Sequence, residues 1–217
     1  MPVKNERGKG KQRGTGTRQR KSIVLFATEG NNKTETLYFK SFNQKNLQIR
    51  FTRGNETDPE KMMKRLLDEA DDMGLGSEPG DCAFSLVDSD VNPKKDGQIM
   101  RADVMARGTK ATQIVSNPCF EIWYSCHYVY STRQYHSTDE AIAALRELVP
   151  AYSKENPGMY QLTIHNVNKA CENAVRLEQY NQDAGRKPHT ADFLPSTDVY
   201  KVIIHLLKQN NNDSPDT

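Results

Sequence analysis

The sequence predicts an α/β protein: a mainly parallel four-stranded sheet with helices on both faces. Short apolar runs alternate with stretches of helical periodicity, which is the βαβ pattern. The runs are apolar almost throughout, as strands buried on both faces are. Two of them, Ile23–Thr28 and Ala83–Val87, lead directly into acidic residues, Glu29 and Asp88-Ser89-Asp90.

Each element has its own signal. After the Ile23–Thr28 strand, Leu37, Tyr38, Phe39 and Phe42 recur at helical spacing between Lys33 and about Gln44. Leu47–Thr52 is a short strand. Asp58-Pro59-Glu60 opens the next helix, with Asp58 as N-cap and Pro59 at the first helical position. Met62, Met63, Leu66, Leu67 and Ala70 form its apolar face, and the glycines from Gly74 to Gly80 end it. Cys82–Val87 is the third strand, Asn92-Pro93 a turn, Asp96–Gly108 a helix, and Thr112–Val115 the fourth strand. Thereafter the pattern is helical: Pro118 through Trp123 to His127, Thr138–Leu148, Met159–Asp183, and a last helix capped by Ser196 that buries Val199, Val202, Ile203, Leu206 and Leu207. The expected organisation is a basic arm (1–21), an α/β core (22–130), a helical extension packed on it (131–208) and a frayed tail (209–217).

At 217 residues and 35% hydrophobic composition, one domain with an appendage is expected. No apolar run approaches the ~18–20 residues of a membrane span, and no signal-type stretch follows the basic start, so a cytoplasmic protein without membrane contact is expected. Cys82, Cys119, Cys126 and Cys171 are scattered, as reduced thiols are. The net charge of +2 hides a division. Residues 1–22 hold eight Lys or Arg against one Glu, net +7, leaving 22 basic and 27 acidic residues, net −5, in the remainder. A basic Gly-rich arm is an electrostatic footprint for nucleic acid; the plainer reading is a solubilising tail.

The chemistry lies in the acidic islands. In a parallel sheet both strands would end at the edge where open α/β folds build their sites. Glu29, Asp88 and Asp90 together offer the hard oxygen ligands that suit Mg²⁺ or Mn²⁺; the alternative is that such acids cap the next helix or set a turn. Converging carboxylates repel unless a cation separates them or one stays protonated. Glu29–Glu35 resembles a degraded phosphate loop without the spacing of a Walker A motif, so Lys33 either holds a phosphate at the helix start or faces solvent. Ser116–Trp123 follows the fourth strand on the same rim and adds Asn117 as a substrate contact. Glu121 there is a fourth carboxylate, serving a second metal or its bound water, or else simply complementing the helix dipole. Cys119, Cys126, His127 and His136 match no common zinc module. Two other functions compete. Val87–Val91 superficially fits the nucleophile loop of a haloacid-dehalogenase-type phosphatase, although it follows the third strand rather than the first. A non-catalytic nucleic-acid-binding scaffold would use the basic arm alone.

These segments resemble a known family. Thr28-Glu29-Gly30 with Lys33-Thr34-Glu35, the Phe84–Asp90 strand, and above all Ser116-Asn117-Pro118-Cys119-Phe120-Glu121-Ile122-Trp123 are similar to the RloB family, over roughly residues 18–207. The resemblance implies a Toprim-like fold and a Mg²⁺-dependent nuclease acting on DNA or RNA in prokaryotic defence, often with an ATPase from the same locus. It makes Glu29 the Toprim glutamate, as ligand or general acid/base, and Asp88 and Asp90 the aspartate pair. Asn31 and Asn32 depart from relatives that carry an acid after the glycine. Tyr38, Tyr124, Tyr128 and Tyr130 sit in apolar helical contexts, so hydrolysis is expected rather than strand transfer through a tyrosine. A homo-oligomer is compatible with the sequence, which does not specify one.

Overall fold

The computed structural model describes residues 20–30 and 33–211. Its strands are β1 (Ser22–Ala27), β2 (Leu47–Phe51), β3 (Cys82–Asp88), β4 (Ala111–Asn117) and β5 (Ser196–Thr197). Among the described residues they form one five-stranded sheet in the order β2-β1-β3-β4-β5. The first four run parallel, as expected, and β5 lies antiparallel to β4. The added strand is short, and its Thr197 hydroxyl meets that of Ser116 at 2.9 Å.

The helices are α1 (Lys33–Lys40), α2 (Pro59–Asp72), α3 (Pro93–Ala106), α4 (Glu121–Cys126), α5 (Thr138–Leu148), α6 (Met159–Thr163), α7 (Val167–Asp183) and α8 (Val199–Asn211). Strand alternation sends Ile23, Leu25, Ala27, Ala83, Val87, Ala111 and Val115 to one face, where Met62, Met63 and Leu66 of α2 and Ile99 and Ala102 of α3 cover them. Val24, Phe26, Phe84, Leu86 and Ile114 enter a larger core on the other face. That core takes Tyr38 and Phe39 from α1, Trp123 from α4, Leu145 from α5, Leu177 from α7, and Val202 and Leu206 from α8. Each large side chain buried this way contributes about 1.5–3 kcal/mol. Residues 131–208 therefore supply one wall of the main core and a strand of the sheet.

Several boundaries differ from the sequence reading. α3 begins at Pro93, three residues before the expected Asp96, because the Asn92 side chain accepts from Lys94 N at 3.1 Å and caps the helix there. α4 begins only at Glu121. Ser196 is not a helix cap: its hydroxyl donates to Phe193 O at 2.7 Å, and α8 starts after the Thr197 hydroxyl accepts from Val199 N at 3.4 Å. A 3₁₀ turn at Ile164–Asn166 breaks the long helix into α6 and α7. The expected arm up to residue 19, and residues 212–217 of the tail, lie outside the described residues. No described helix is long and apolar enough to cross a membrane.

The topology places the site. The chain leaves β1 through α1 toward β2 on one side, and leaves β3 through α3 toward β4 on the other. The order thus reverses between β1 and β3, and the crevice beyond the carboxyl ends of such a pair is where open α/β sheets bind ligands. Ala27 pairs with Ser85, so Glu29 and Asp88 leave the sheet side by side at this switch point.

Candidate functional site

Asp88 is the last residue of β3, level with Ser116 of β4. The chain then makes a tight loop. Ser89 N donates to Ser116 O at 2.9 Å and Asp90 N to Pro118 O at 3.0 Å, which moors the loop to the β4–α4 connection. Asp90 and Val91 both have left-handed backbones, φ 56° and 52°. For a β-branched valine this conformation is a genuine outlier, costing about 1–3 kcal/mol. It is held by Asn92 N donating to Ser89 O at 3.0 Å and Val91 N to the buried Ser89 hydroxyl at 3.3 Å.

The Asn92 cap and Pro93 then start α3 so that Lys95, in its first turn, reaches back over the loop. The Lys95 ammonium donates to Glu29 Oε1 at 2.8 Å, Asp90 Oδ2 at 2.6 Å and the Asp88 carbonyl at 3.0 Å. Its side chain is only 13% exposed, against 18% for Glu29 and 43% for Asp90. The expected acids from β1 and β3 do meet, and they meet on a lysine.

Two further carboxylates lie beneath them. Glu121, at the start of α4, is buried and accepts a hydrogen bond from the Tyr152 hydroxyl. Glu35, in the first turn of α1, is buried as well. Burial first, then the negative charges of Glu35, Glu121, Glu29 and Asp90, raise the Asp88 carboxyl well above the usual range. Glu35 is raised by burial and by Glu121 and Glu29, against its own backbone and Lys154. Burial also raises Glu29, with Asp90 adding to it, while Lys95 opposes. Lys95 itself would be lowered by burial, but its hydrogen bonds to Asp90 and Glu29 outweigh that and raise it.

The donor set is all oxygen, which suits a hard divalent cation. Burial first, and then mutual repulsion, raise Asp88; a cation relieves that repulsion, and the Lys95 ammonium marks a point where positive charge is already stabilised by two carboxylates and a carbonyl. The residues fit such an ion in chemistry. Among the described residues, however, no three His, Cys, Asp or Glu side chains already stand together as a ligand set. That holds equally for Cys119, Cys126, His127 and His136: Cys119 is buried with its thiol raised by burial, and His127 Nδ1 pairs with Trp123 O at 2.9 Å.

The remaining expected residues have other surroundings. Lys33 is exposed, with its ammonium 2.7 Å from Glu155. It lines an open cleft of about 660 Å³ with Thr28, Gly30, Thr36, Thr52 and Asn55, next along the chain from Glu29. Asn117 is buried, and its amide donates to the carbonyls of Thr190, Ala191 and Phe193 at 3.1, 3.0 and 3.2 Å. Those N–H groups hold the chain's own 190–193 loop. Sequence reading missed Lys95, Glu35 and Tyr152. Glu35 lies within the Lys33-Thr34-Glu35 motif. The only signal for Lys95 was the Asn-Pro helix start, which fixes its place in the first turn.

A family model described as RloB-like protein matches residues 24–206, most of the chain. The chain belongs to this family. No curated protein and no solved structure matches it.

Proposed function

From membership of the RloB-like family and the site at the β1/β3 switch point, we propose that the chain is a divalent-metal-dependent nuclease. It cleaves phosphodiester bonds in DNA or RNA and serves as an effector in prokaryotic anti-phage defence, with an ATPase from the same locus as partner. The observation that carries the reading is the gathering of the Glu29 and Asp90 carboxylates and the Asp88 carbonyl around one cationic group, with the buried Glu35 and Glu121 carboxylates close enough to raise the Asp88 carboxyl. Bound Mg²⁺ or Mn²⁺ would supply Lewis-acid polarisation of the phosphate and a more acidic water.

The chain's own residues have distinct tasks. Asp88, Asp90 and Glu29 are the candidate ligands, and Glu121 is the candidate for a second ion. Glu29, raised by burial, is also placed to take or give a proton at its carboxylate. Tyr152 orients the Glu121 carboxylate through its hydroxyl and is itself buried, so it is no nucleophile. Lys33 and the cleft beside it offer a path for the flanking backbone. The Toprim-like character of the fold belongs to the same proposal.

The test is cleavage of end-labelled plasmid, single-stranded DNA and total tRNA with Mg²⁺ or Mn²⁺, by wild type, Glu29→Gln and Asp88→Asn. Metal-dependent cutting that both substitutions abolish is expected, and the polymer that is cut names the substrate. Turnover of p-nitrophenyl phosphate alone, dependent on Asp88, would replace the nuclease by a phosphatase. Metal-independent binding with no cleavage would leave a scaffold.

A further inference from the structure

Lys95 has an unusual position for a lysine. It is tucked over a left-handed loop, donates to carboxylates that follow two different strands and to the carbonyl that ends β3, and is mostly withdrawn from solvent. Its neighbour Lys94 is exposed and makes no such contacts among the described residues. A lysine ammonium is a compact point charge on a flexible four-carbon stem, so it can occupy a cation's place and also leave it. Glu29 and Asp90 cannot use the same oxygens for Lys95 and for a divalent ion at full strength. Asp90, 43% exposed, gives the ammonium a way out to solvent.

Resting on the metal-nuclease reading above, we propose that Lys95 is a tethered counter-ion: its ammonium holds the cation position of the carboxylate site and yields it to the divalent metal. Once displaced, the ammonium remains on the first turn of α3 at the mouth of the crevice, where a nucleic-acid phosphate is its natural partner. Metal uptake thereby turns a partly neutralised site into one with a free positive charge for substrate. Lys95 acts through the carboxylates in the first state and on the phosphate in the second.

The experiment titrates Mn²⁺ into the metal-free full chain, following free Mn²⁺ by electron paramagnetic resonance, for wild type, Asp88→Asn, Lys95→Met, Lys95→Arg and Lys94→Met. Wild type binds and Asp88→Asn does not. Removing a competing charge at hydrogen-bond distance tightens Mn²⁺ binding by Lys95→Met on the order of tenfold. Lys95→Arg and Lys94→Met stay close to wild type. In Ca²⁺ at saturating concentration, Lys95→Met binds a fluorescein-labelled oligonucleotide on the order of tenfold more weakly than Lys94→Met. Mn²⁺ affinity unchanged or weakened in Lys95→Met overturns the counter-ion role while leaving the metal site standing. Tighter Mn²⁺ binding with unchanged oligonucleotide affinity overturns the hand-over to phosphate. If neither wild type nor any variant binds Mn²⁺, the metal-nuclease reading falls and this inference falls with it.

Discussion

Replacing His189 by Asn should destabilise the protein by roughly 3 kcal/mol near pH 6 and by almost nothing near pH 10. His189 Nδ1 stands 2.8 Å from Asp103 of α3, and Nε2 stands 2.7 Å from Asp198 just before α8. Asp103 also accepts from Gln113 of β4 at 3.1 Å, and Asp198 from Lys201 at 2.7 Å. The imidazole thus ties the 185–195 loop to both faces of the sheet. Burial would lower its pKa, but the two carboxylates outweigh burial and hold it up at about 9, against an ordinary 6.5. At about 1.36 kcal/mol per pKa unit, that rise is the source of the 3 kcal/mol, taken as an upper bound. The lowered Asp198 carboxyl is the same interaction seen from its partner and adds nothing further. Because the folded-state pKa is the higher one, the stabilisation is complete below the unfolded value and disappears as pH rises through about 9. Asn is the right replacement because His189 has φ 63°, a left-handed backbone that Asn tolerates. Urea unfolding of both proteins from about pH 6 to about pH 10 measures the difference directly. A difference that stays constant across that range would refute the reasoning, because it would mean that His189 stabilises by shape and packing.

Two other substitutions follow from buried polar anchors. Asp81 is buried and accepts from Ile23 N at 2.8 Å, Gly76 N at 2.9 Å, Glu78 N at 3.1 Å and Arg20 at 2.6 Å. Asp81→Ala should cost about 3 kcal/mol at neutral pH, by leaving those donors unmet. Burial would raise its carboxyl, but the donors outweigh burial and lower it, so the stabilisation exists above the unfolded pKa and is lost as pH falls through the folded one. Thermal melts should therefore converge for mutant and wild type in acid, and a gap undiminished there would sink the assignment. Asn117→Ala should cost about 2–3 kcal/mol in denaturant titrations by releasing three carbonyls of the 190–193 loop. A loss under about 0.5 kcal/mol, the range of ordinary surface changes, would mean that the loop is held by other means.

The parallel core was readable because its physics is local and periodic. Strands buried on two faces are apolar almost throughout, and β1 is so from Val24 to Ala27 and β3 from Cys82 to Val87, with the buried Ser85 the one polar side chain among them. Asp58 and Pro59 marked α2 correctly, and the Asp58 side chain accepts from Glu60 N and Lys61 N. What escaped depends on partners far along the chain. β5 is two residues long and exists because β4 offers a free edge. Ser196 looked like a cap because serine before an apolar periodic stretch usually is one; here its hydroxyl has Phe193 O and its backbone has Asn117. Asn117 looked like a rim contact because it sits beside Glu121 in sequence, but its amide points at a loop some seventy residues on, at Thr190, Ala191 and Phe193.

The acids at the switch point were legible for the opposite reason. Carboxylates that end apolar strands can cap a helix or set a turn, but withdrawn from water together, as Glu29, Asp88 and Glu35 are here, they work against stability. Burial raises Asp88, Glu29 and Glu35, and each is raised further by its acidic neighbours, so folding at neutral pH proceeds against this cluster. Val91 adds backbone strain in the same loop. A fold keeps such costs where the arrangement serves a purpose beyond stability. Lys95 offsets only part of them, since one ammonium meets two carboxylates while Glu35 and Glu121 lie deeper. A sequence reader who asks which residues make the fold worse, rather than better, finds Glu29, Asp88 and Glu121. Lys95 stays hidden from that question, because a lysine in the first turn of a helix opposes the dipole by only about 0.3–1 kcal/mol, too little to single it out before the structure shows what it touches.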